Sequence, residues 1–317
     1  MPSPVLVDLK FNPERLAALL ETAFEDRGSI NLADPESRNT DLSSIDYALV
    51  WKPDADLFQR ATNLKVIFCG GAGVDSILRI PNLPDIPIVR FVDHSLTTRM
   101  SEWVVLHCLM HLRGQHAHEK AQRHHQWGDM VPPEAADVTV GIMGMGVLGQ
   151  DAAMKLTTLG FNVAGWSRSK KAVPGVETYG SEELDAFLHQ TDILVGLLPL
   201  TAETKGLYNR GLFEKLRHDG ALGRPVFLNA GRGGSQVEAD IVSAINDGIL
   251  GGASLDVFEV EPLAPGSPLW DLDNVFITPH DAAVSDEKAL FAHVERQIGR
   301  FESGQPLEFL VDRRAGY

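Results

Sequence analysis

Three short segments carry side chains suited to proton transfer and anion binding. Residues 228–234 read Leu-Asn-Ala-Gly-Arg-Gly-Gly and set Arg232 in a glycine-rich loop. Residues 255–262 contain Asp256 and place Glu261 directly before Pro262, and residues 278–280 read Thr-Pro-His and end at His280. Each segment follows an apolar run that predicts a strand, and strand ends are where open α/β sheets gather their ligands. An imidazole titrates near neutrality and exchanges protons there, whereas a guanidinium presents a planar fork of donors to a carboxylate. A fourth segment, Gly144-Met-Gly146-Val-Leu-Gly149, follows an apolar strand and opens a helix. In that setting the first glycine permits a tight turn, the second lets a pyrophosphate approach the backbone, and the third lets helix and strand pack closely. The helix N-terminus then offers its free N–H groups to the phosphates.

The end of the next strand selects the dinucleotide. A site for NAD usually places an acid there to hold the ribose diol. This chain has Trp166-Ser167-Arg168-Ser169-Lys170-Lys171 instead, with no acid before Glu177. Arg168 is suited to pair with a 2′-phosphate, and the neighbouring serines and lysines add donors and charge. NADP(H) is therefore the preferred cofactor, with NAD(H) possible. A metal is not expected. His111, His116, His118, His124 and His125 are accompanied by no cysteine or H-E-x-x-H spacing, and they read as a solvated or interdomain surface.

In this order the motifs resemble the D-2-hydroxyacid dehydrogenase family. The resemblance spans nearly the whole chain and includes Gly70-Gly-Ala-Gly73-Val-Asp75 and Pro199-Leu-Thr201-x-x-Thr204. Trp51 and the Trp166-Ser-Arg168 stretch are most similar to the glyoxylate/hydroxypyruvate reductase A group. The resemblance implies NADPH-dependent reduction of a small 2-oxo acid to a D-2-hydroxy acid, with Arg232, Glu261 and His280 catalytic. His280 would donate the proton, Glu261 would hold its far ring nitrogen, and Arg232 would bind the carboxylate and polarise the carbonyl. It also implies cofactor contacts from Gly144, Gly146, Val147, Leu148 and Gly149, from Ser167, Arg168 and Ser169, and from Leu198, Pro199, Thr204 and Ala230. Asp256 is an acceptor for the nicotinamide carboxamide or, equally, a turn cap. The substrate carboxylate is expected at Ala72 and Gly73, with Trp51 closing over it and Arg99 as a further anion contact. Two other readings fit the same residues: a reductase of bulkier 2-oxo acids such as phenylpyruvate, and a non-catalytic NAD(H)-sensing, corepressor-like binding protein. A homodimer is implied by the family.

Positioning these residues calls for two α/β domains. Short, continuously apolar runs separated by helical stretches suit parallel sheets buried on both faces. Strands are expected at 5–7, 47–50, 66–68 and 88–91, then at 138–142, 161–165, 193–197, 226–228, 252–255 and 275–277. Helices are expected at 13–24, 99–121, 182–189 and 238–246, with one from 147 and a last from 285. The fold class is α/β with two doubly wound parallel-sheet domains. A Rossmann-type NAD(P)-binding domain, 99–282, is inserted into a flavodoxin-like substrate domain made of 1–98 and 283–317. The cleft between the domains is the expected place for cofactor and acid.

Composition narrows the class further. A chain of 317 residues exceeds the usual reach of one core. With 28 basic and 43 acidic residues the net charge is −15, which disfavours nucleic acid and anionic membranes as partners. Cys69 and Cys108 are too few for a disulfide framework. No apolar run is long enough to span a membrane, and the N-terminus lacks a signal-peptide pattern. A cytoplasmic location is expected.

Overall fold

Two sheets organise the chain, and every strand pairing in them is parallel. The computed structural model describes residues 2–24 and 26–316. The chain divides into two compact units, Met1–Leu96 with Ser285–Tyr317, and Thr97–Val284. The divisions thus fall two residues from the 98/99 and 282/283 boundaries expected from sequence.

In the first unit the strands are β1 (Val5–Asp8), β2 (Ser29–Asn31), β3 (Tyr47–Val50), β4 (Val66–Cys69) and β5 (Ile88–Val89), in the sheet order β2-β1-β3-β4-β5. That order is the flavodoxin-like one. Every residue of β1, β3 and β4 is buried, which is why these segments read as unbroken apolar runs. β2 escapes sequence reading because it is a half-buried edge of three residues, Ser-Ile-Asn. Helix α1 (Pro13–Leu20) starts where the Asn12 side chain accepts from the Arg15 N–H and Pro13 supplies a preset φ. It ends before the expected residue 24, and Phe24 sits at φ 59° in a turn. Helices α2 (Leu57–Arg60) and α3 (Asp75–Leu78) are single turns.

In the second unit the strands are β6 (Thr139–Met143), β7 (Asn162–Trp166), β8 (Glu177–Tyr179), β9 (Ile193–Gly196), β10 (Val226–Asn229), β11 (Gly252–Leu255) and β12 (Val275–Ile277). Their order is β12-β11-β10-β9-β6-β7-β8, so the winding reverses between β9 and β6. Alternate residues feed two cores. Val140, Ile142, Ile193, Val195, Val226 and Leu228 belong to one, and Met143, Leu194 and Phe227 to the other. Six strands were expected; the seventh, β8, is a short edge with an exposed end, and it carries no apolar run to announce it.

The helical stretch expected at 99–121 is two helices, α4 (His94–Leu112) and α5 (Gln115–Arg123). They are separated at Gly114, whose φ of 62° a side chain would resist. The remaining helices are α6 (Val147–Thr158), α7 (Leu184–His189), α8 (Arg210–Phe213), α9 (Glu238–Asn246) and, back in the first unit, α10 (Glu287–Glu302). α10 begins two residues later than expected because Asp286 caps it, accepting from the Ala289 N–H at 2.8 Å. Its Leu290, Val294 and Ile298 face the core at the four-residue spacing read from sequence.

The histidine-rich stretch is only partly the surface it was expected to be. His111 is buried and lies 2.9 Å from the Ser254 hydroxyl through Nε2, with its ring edge against Phe276. His107 is buried too, its ring centroid 4.2 Å from that of Trp103. Burial pushes the His111 imidazole down to about 3 and that of His107 to about 4. These histidines are apolar-face packing residues held neutral by desolvation. Among the described residues no cluster of three or more potential ligands stands where it would hold a metal ion. Among the described residues no helix is long and apolar enough to cross a membrane.

Candidate active site

The C-terminal ends of parallel strands in the second unit carry almost all the residues singled out from sequence. β6 ends in the glycine-rich turn. Gly144 has φ 116°, and a Cβ there would lie 2.8 Å from the Leu197 carbonyl oxygen. A Cβ on Gly149 would fall 2.1 Å from the Gly144 oxygen, so the start of α6 packs against the turn only because that side chain is missing. At Gly146 a Cβ would meet nothing within 4 Å. The turn is thus closed on its protein side and open at its middle glycine, a cradle with room for a diphosphate at the N-terminus of α6, where Val147 and Leu148 follow.

Ser167, Arg168 and Ser169 follow β7. The Ser167 hydroxyl donates to the Ser169 carbonyl at 2.8 Å and shapes the loop. The two lysines expected to add charge are committed within the chain: Lys170 pairs with Glu183 at 2.9 Å, and Lys171 donates to the Met145 carbonyl at 2.9 Å. Lys171 therefore ties the basic loop to the glycine-rich turn. Leu198, Pro199 and Thr204 follow β9; the Thr204 hydroxyl donates to the Pro199 carbonyl at 2.6 Å and accepts from the Thr201 N–H at 2.8 Å. Ala230 follows β10 and is buried, its N–H donating to Gly196.

Arg232, Glu261 and His280 follow β10, β11 and β12, three strands adjacent in the sheet. Both carboxylate oxygens of Glu261 lie 2.9 Å from His280 Nδ1. The ring is held by one nitrogen, and Nε2 is directed away from that pair. The side chains are partly open, at 35% exposure for His280 and 27% for Glu261. Arg232 rests on a loop braced from beneath by buried amides. Asn229 Oδ1 accepts from the Gly231 N–H at 3.0 Å, and its Nδ2 donates to Gln236 Oε1 at 2.8 Å. Gln236 Nε2 in turn donates to the Val257 carbonyl at 2.9 Å, linking the Arg232 loop to the segment that leads to Glu261. The Arg232 guanidinium donates to the Gly231 carbonyl at 2.7 Å.

Asp256 makes the turn-capping contacts that were one of the two readings of it from sequence. Its Oδ1 accepts from the Thr278 hydroxyl at 2.6 Å, the Asp281 N–H at 2.9 Å and the Ala282 N–H at 3.1 Å. The carboxylate therefore caps the turn that carries His280, which sits at φ 57° with its N–H on the Thr278 carbonyl. Burial raises the Asp256 carboxyl above the ordinary range, opposed by the Thr278 hydroxyl and the two amides. Trp103 Nε1 donates to the same Thr278 hydroxyl at 3.0 Å. Thr278, Trp103, Asn229 and Gln236 were missed as site residues. Their only sequence signal is a hydrogen-bonding residue next to an apolar run, which is common. Arg99 donates to the Val284 carbonyl at 2.5 Å.

Trp51, Ala72 and Gly73 belong to the first unit. Trp51 follows β3, with its N–H on the Asp8 carbonyl at 2.9 Å. The loop after β4 is fixed by the Gly70 N–H on Val50 at 2.8 Å and the Gly71 carbonyl accepting from Phe91 at 3.3 Å. The Cys69 thiol donates to the Gly73 carbonyl at 3.2 Å. Cys69 and Cys108 are both free and buried.

A glycine-cradled turn at the switch point of a doubly wound sheet, with a braced imidazole four strands away, defines an NAD(P)-dependent oxidoreductase. Comparison with known proteins narrows this. Residues 105–282 match the family model for the NAD binding domain of D-isomer specific 2-hydroxyacid dehydrogenases. The chain is 40% identical to a glyoxylate/hydroxypyruvate reductase A of Escherichia fergusonii over 284 residues, 87% of this chain and 89% of that one. Its structure is similar, at a TM-score of 0.97 and 69% identity, to a probable 2-hydroxyacid dehydrogenase of Rhizobium etli in complex with NADP, HEPES and L(+)-tartaric acid. An NADPH-dependent glyoxylate/hydroxypyruvate reductase of Sinorhizobium meliloti, in complex with NADP and sulfate, is similar at a TM-score of 0.97 and 63% identity. Both structural matches cover 100% of each chain. The chain belongs to the D-isomer specific 2-hydroxyacid dehydrogenase family.

Proposed function

We propose that this protein reduces small 2-oxo acids of the glyoxylate and hydroxypyruvate class to D-2-hydroxy acids at the expense of NADPH. The observation that carries the reading is His280 gripped through Nδ1 by both oxygens of Glu261 at 2.9 Å, on the strand end beyond a dinucleotide cradle. The names of the Escherichia fergusonii and Sinorhizobium meliloti relatives support the substrate class, and the NADP of two structural relatives supports the cofactor. The open Gly146 and the closed Gly144 and Gly149 fit such a dinucleotide.

When bound, NADPH supplies the hydride. The chain supplies the rest. The Glu261 carboxylate accepts a hydrogen bond from His280 Nδ1–H and fixes the ring, which gives its Nε2 proton to the carbonyl oxygen as negative charge develops there. Arg232, held out on its amide-braced loop, presents its fork to the carboxylate and carbonyl oxygens and orients the acid. The N–H groups of Ala72 and Gly73 receive the substrate carboxylate in a loop with little side chain to obstruct it. Trp51 stands beside that loop. Arg168 pairs with the 2′-phosphate, and the α6 N-terminus with the diphosphate.

The protein acts as a homodimer, a reading supported by the family and by apolar side chains left in solvent. Trp127 is 95% exposed and Val131 fully exposed, with Met130 exposed beside them in sequence. Free, buried thiols are consistent with work in the cytoplasm.

The test is NADPH oxidation against a panel from glyoxylate to phenylpyruvate, with His280→Ala and Arg168→Asp beside the parent. His280→Ala is expected to lose about 10²–10⁴-fold in kcat while still binding NADPH, and Arg168→Asp to move the NADPH/NADH ratio of kcat/KM toward NADH. Undiminished turnover in His280→Ala overturns the reading.

A further inference from the structure

The loop that receives the acid is shaped by a contact inside the first unit. The Trp51 indole lies flat on Gly71. A Cβ at Gly71 would stand 2.6 Å from Trp51 Cζ3, 2.9 Å from Cη2 and 3.1 Å from Cε3. At Gly70 a Cβ would meet Leu9 Cδ2 at 2.6 Å and Trp51 Cβ at 3.2 Å. Neither glycine has a positive φ, so their backbone conformation does not call for glycine; the ring does. Neither partner can yield easily. The Trp51 backbone is pinned to Asp8, Gly70 to Val50 and the Gly71 carbonyl to Phe91. The indole itself packs on the core formed by β3 and β4 residues.

We infer that Gly71 is a specificity-determining residue of the reductase. Its missing side chain seats Trp51 as the wall of the Ala72–Gly73 acid cradle, and this seat restricts the substrate to 2-oxo acids with a small third carbon group or none. The inference rests on the functional reading above. A methyl group at Gly71 must lift a rigid ring by roughly 1 Å to reach ordinary carbon contact. The wall moves while the backbone N–H groups stay, so the change falls on fit more than on chemistry. Gly71 acts through Trp51 and is a positioning residue.

Gly71→Ala, Trp51→Phe, Trp51→Ala and the Gly71→Ala/Trp51→Ala double variant test this in the full-length protein. Gly71→Ala is expected to lower kcat/KM for glyoxylate by about tenfold, mainly through KM, and to raise the phenylpyruvate/glyoxylate selectivity by at least that factor. With the ring gone in Trp51→Ala, adding Gly71→Ala should change selectivity no further. A second readout is free of turnover: acrylamide quenching of tryptophan fluorescence should rise in Gly71→Ala and should not rise when Gly71→Ala is added to Trp51→Phe. A folded Gly71→Ala enzyme with parental selectivity, or selectivity effects that add in the double variant, overturns the inference. A parent that reduces no 2-oxo acid overturns the functional reading and the specificity role with it. Unchanged quenching in Gly71→Ala overturns the seat alone.

Discussion

Replacing Thr278 with valine removes a hydroxyl at nearly constant volume and tests whether the His280 turn is held by the buried group beneath it. The hydroxyl donates to Asp256 at 2.6 Å and accepts from the Trp103 indole at 3.0 Å. Asp256 is 1% exposed and Trp103 is 7% exposed, so water reaches neither readily. An unpaired buried polar group costs about 1–3 kcal/mol. The indole N–H would lose the acceptor it has here, whereas Asp256 would keep its two backbone N–H donors and pay less. The loss should come to roughly 2–4 kcal/mol, or a Tm lower by about 5–15 °C for a unit of this size. The effect on rate is separate, because Asp256 also grips Asp281 and Ala282 on the far side of His280. A turn freed on one side lets the imidazole stray, and misplacement of about 1 Å is worth about 10²-fold. Differential scanning calorimetry and steady-state kinetics with glyoxylate measure the two effects. Thr278→Ser should restore both, and in a Trp103→Phe background the stability cost of Thr278→Val should shrink by about 1 kcal/mol. Parental Tm and kcat in Thr278→Val would refute the reasoning.

Other perturbations follow from single contacts. His107 and His111 have folded values lowered by burial to about 4 and about 3, below the unfolded value near 6.5. The unfolded chain therefore binds more protons under acid conditions. Stability should fall as pH drops below about 6.5, by up to about 1.4 kcal/mol per pH unit for each histidine. His111→Gln should flatten the pH 7 to pH 5 difference in urea midpoint, and an equal difference in both proteins counts against the assignment. Gly149→Ala places a carbon 2.1 Å from the Gly144 oxygen and should cost several kcal/mol or prevent folding, whereas Gly146→Ala has open space. The latter should keep its Tm and weaken NADPH binding at least tenfold in a fluorescence titration. Trp127→Lys with Val131→Lys should convert the proposed dimer to monomers in sedimentation velocity; an unchanged sedimentation coefficient removes these side chains from the proposed interface.

The parts of the site legible in the sequence are those a ligand dictates. The glycines at 144, 146 and 149 and the absence of an acid after β7 follow from what a dinucleotide requires at a fixed place along a strand end, whereas the glutamate before Pro262 was read from the family resemblance. The core strands were equally open to reading, since sheets covered on both faces demand unbroken apolar runs. Edge strands β2 and β8 were not, because half of each strand faces away from the core and its residues need not be apolar. The break between α4 and α5 rested on one glycine, which a helix tolerates as often as it ends there. His111 was misjudged because a neutral imidazole is an acceptable core group once one nitrogen has a partner, and Ser254 lies 143 residues away in sequence.

What remained hidden has a common physical cause. Asn229, Gln236, Thr278 and Trp103 hold the loops that carry Arg232 and His280 by hydrogen bonds worth little in water and much more in a buried, low-dielectric setting. Their identity depends on what the fold has brought opposite them, so no local pattern marks them. The same dependence governs the charges. In a chain of net charge −15 an anionic cofactor must be met by short-range groups that outweigh the general field. After β7, Lys170 pairs with Glu183 and Lys171 donates to the Met145 carbonyl. Counting positive charges along that loop therefore overstates what is available to a phosphate. On the functional reading proposed above, the amides of the glycine-rich turn and the Arg168 guanidinium meet the phosphates, and Lys171 fixes the turn those amides belong to.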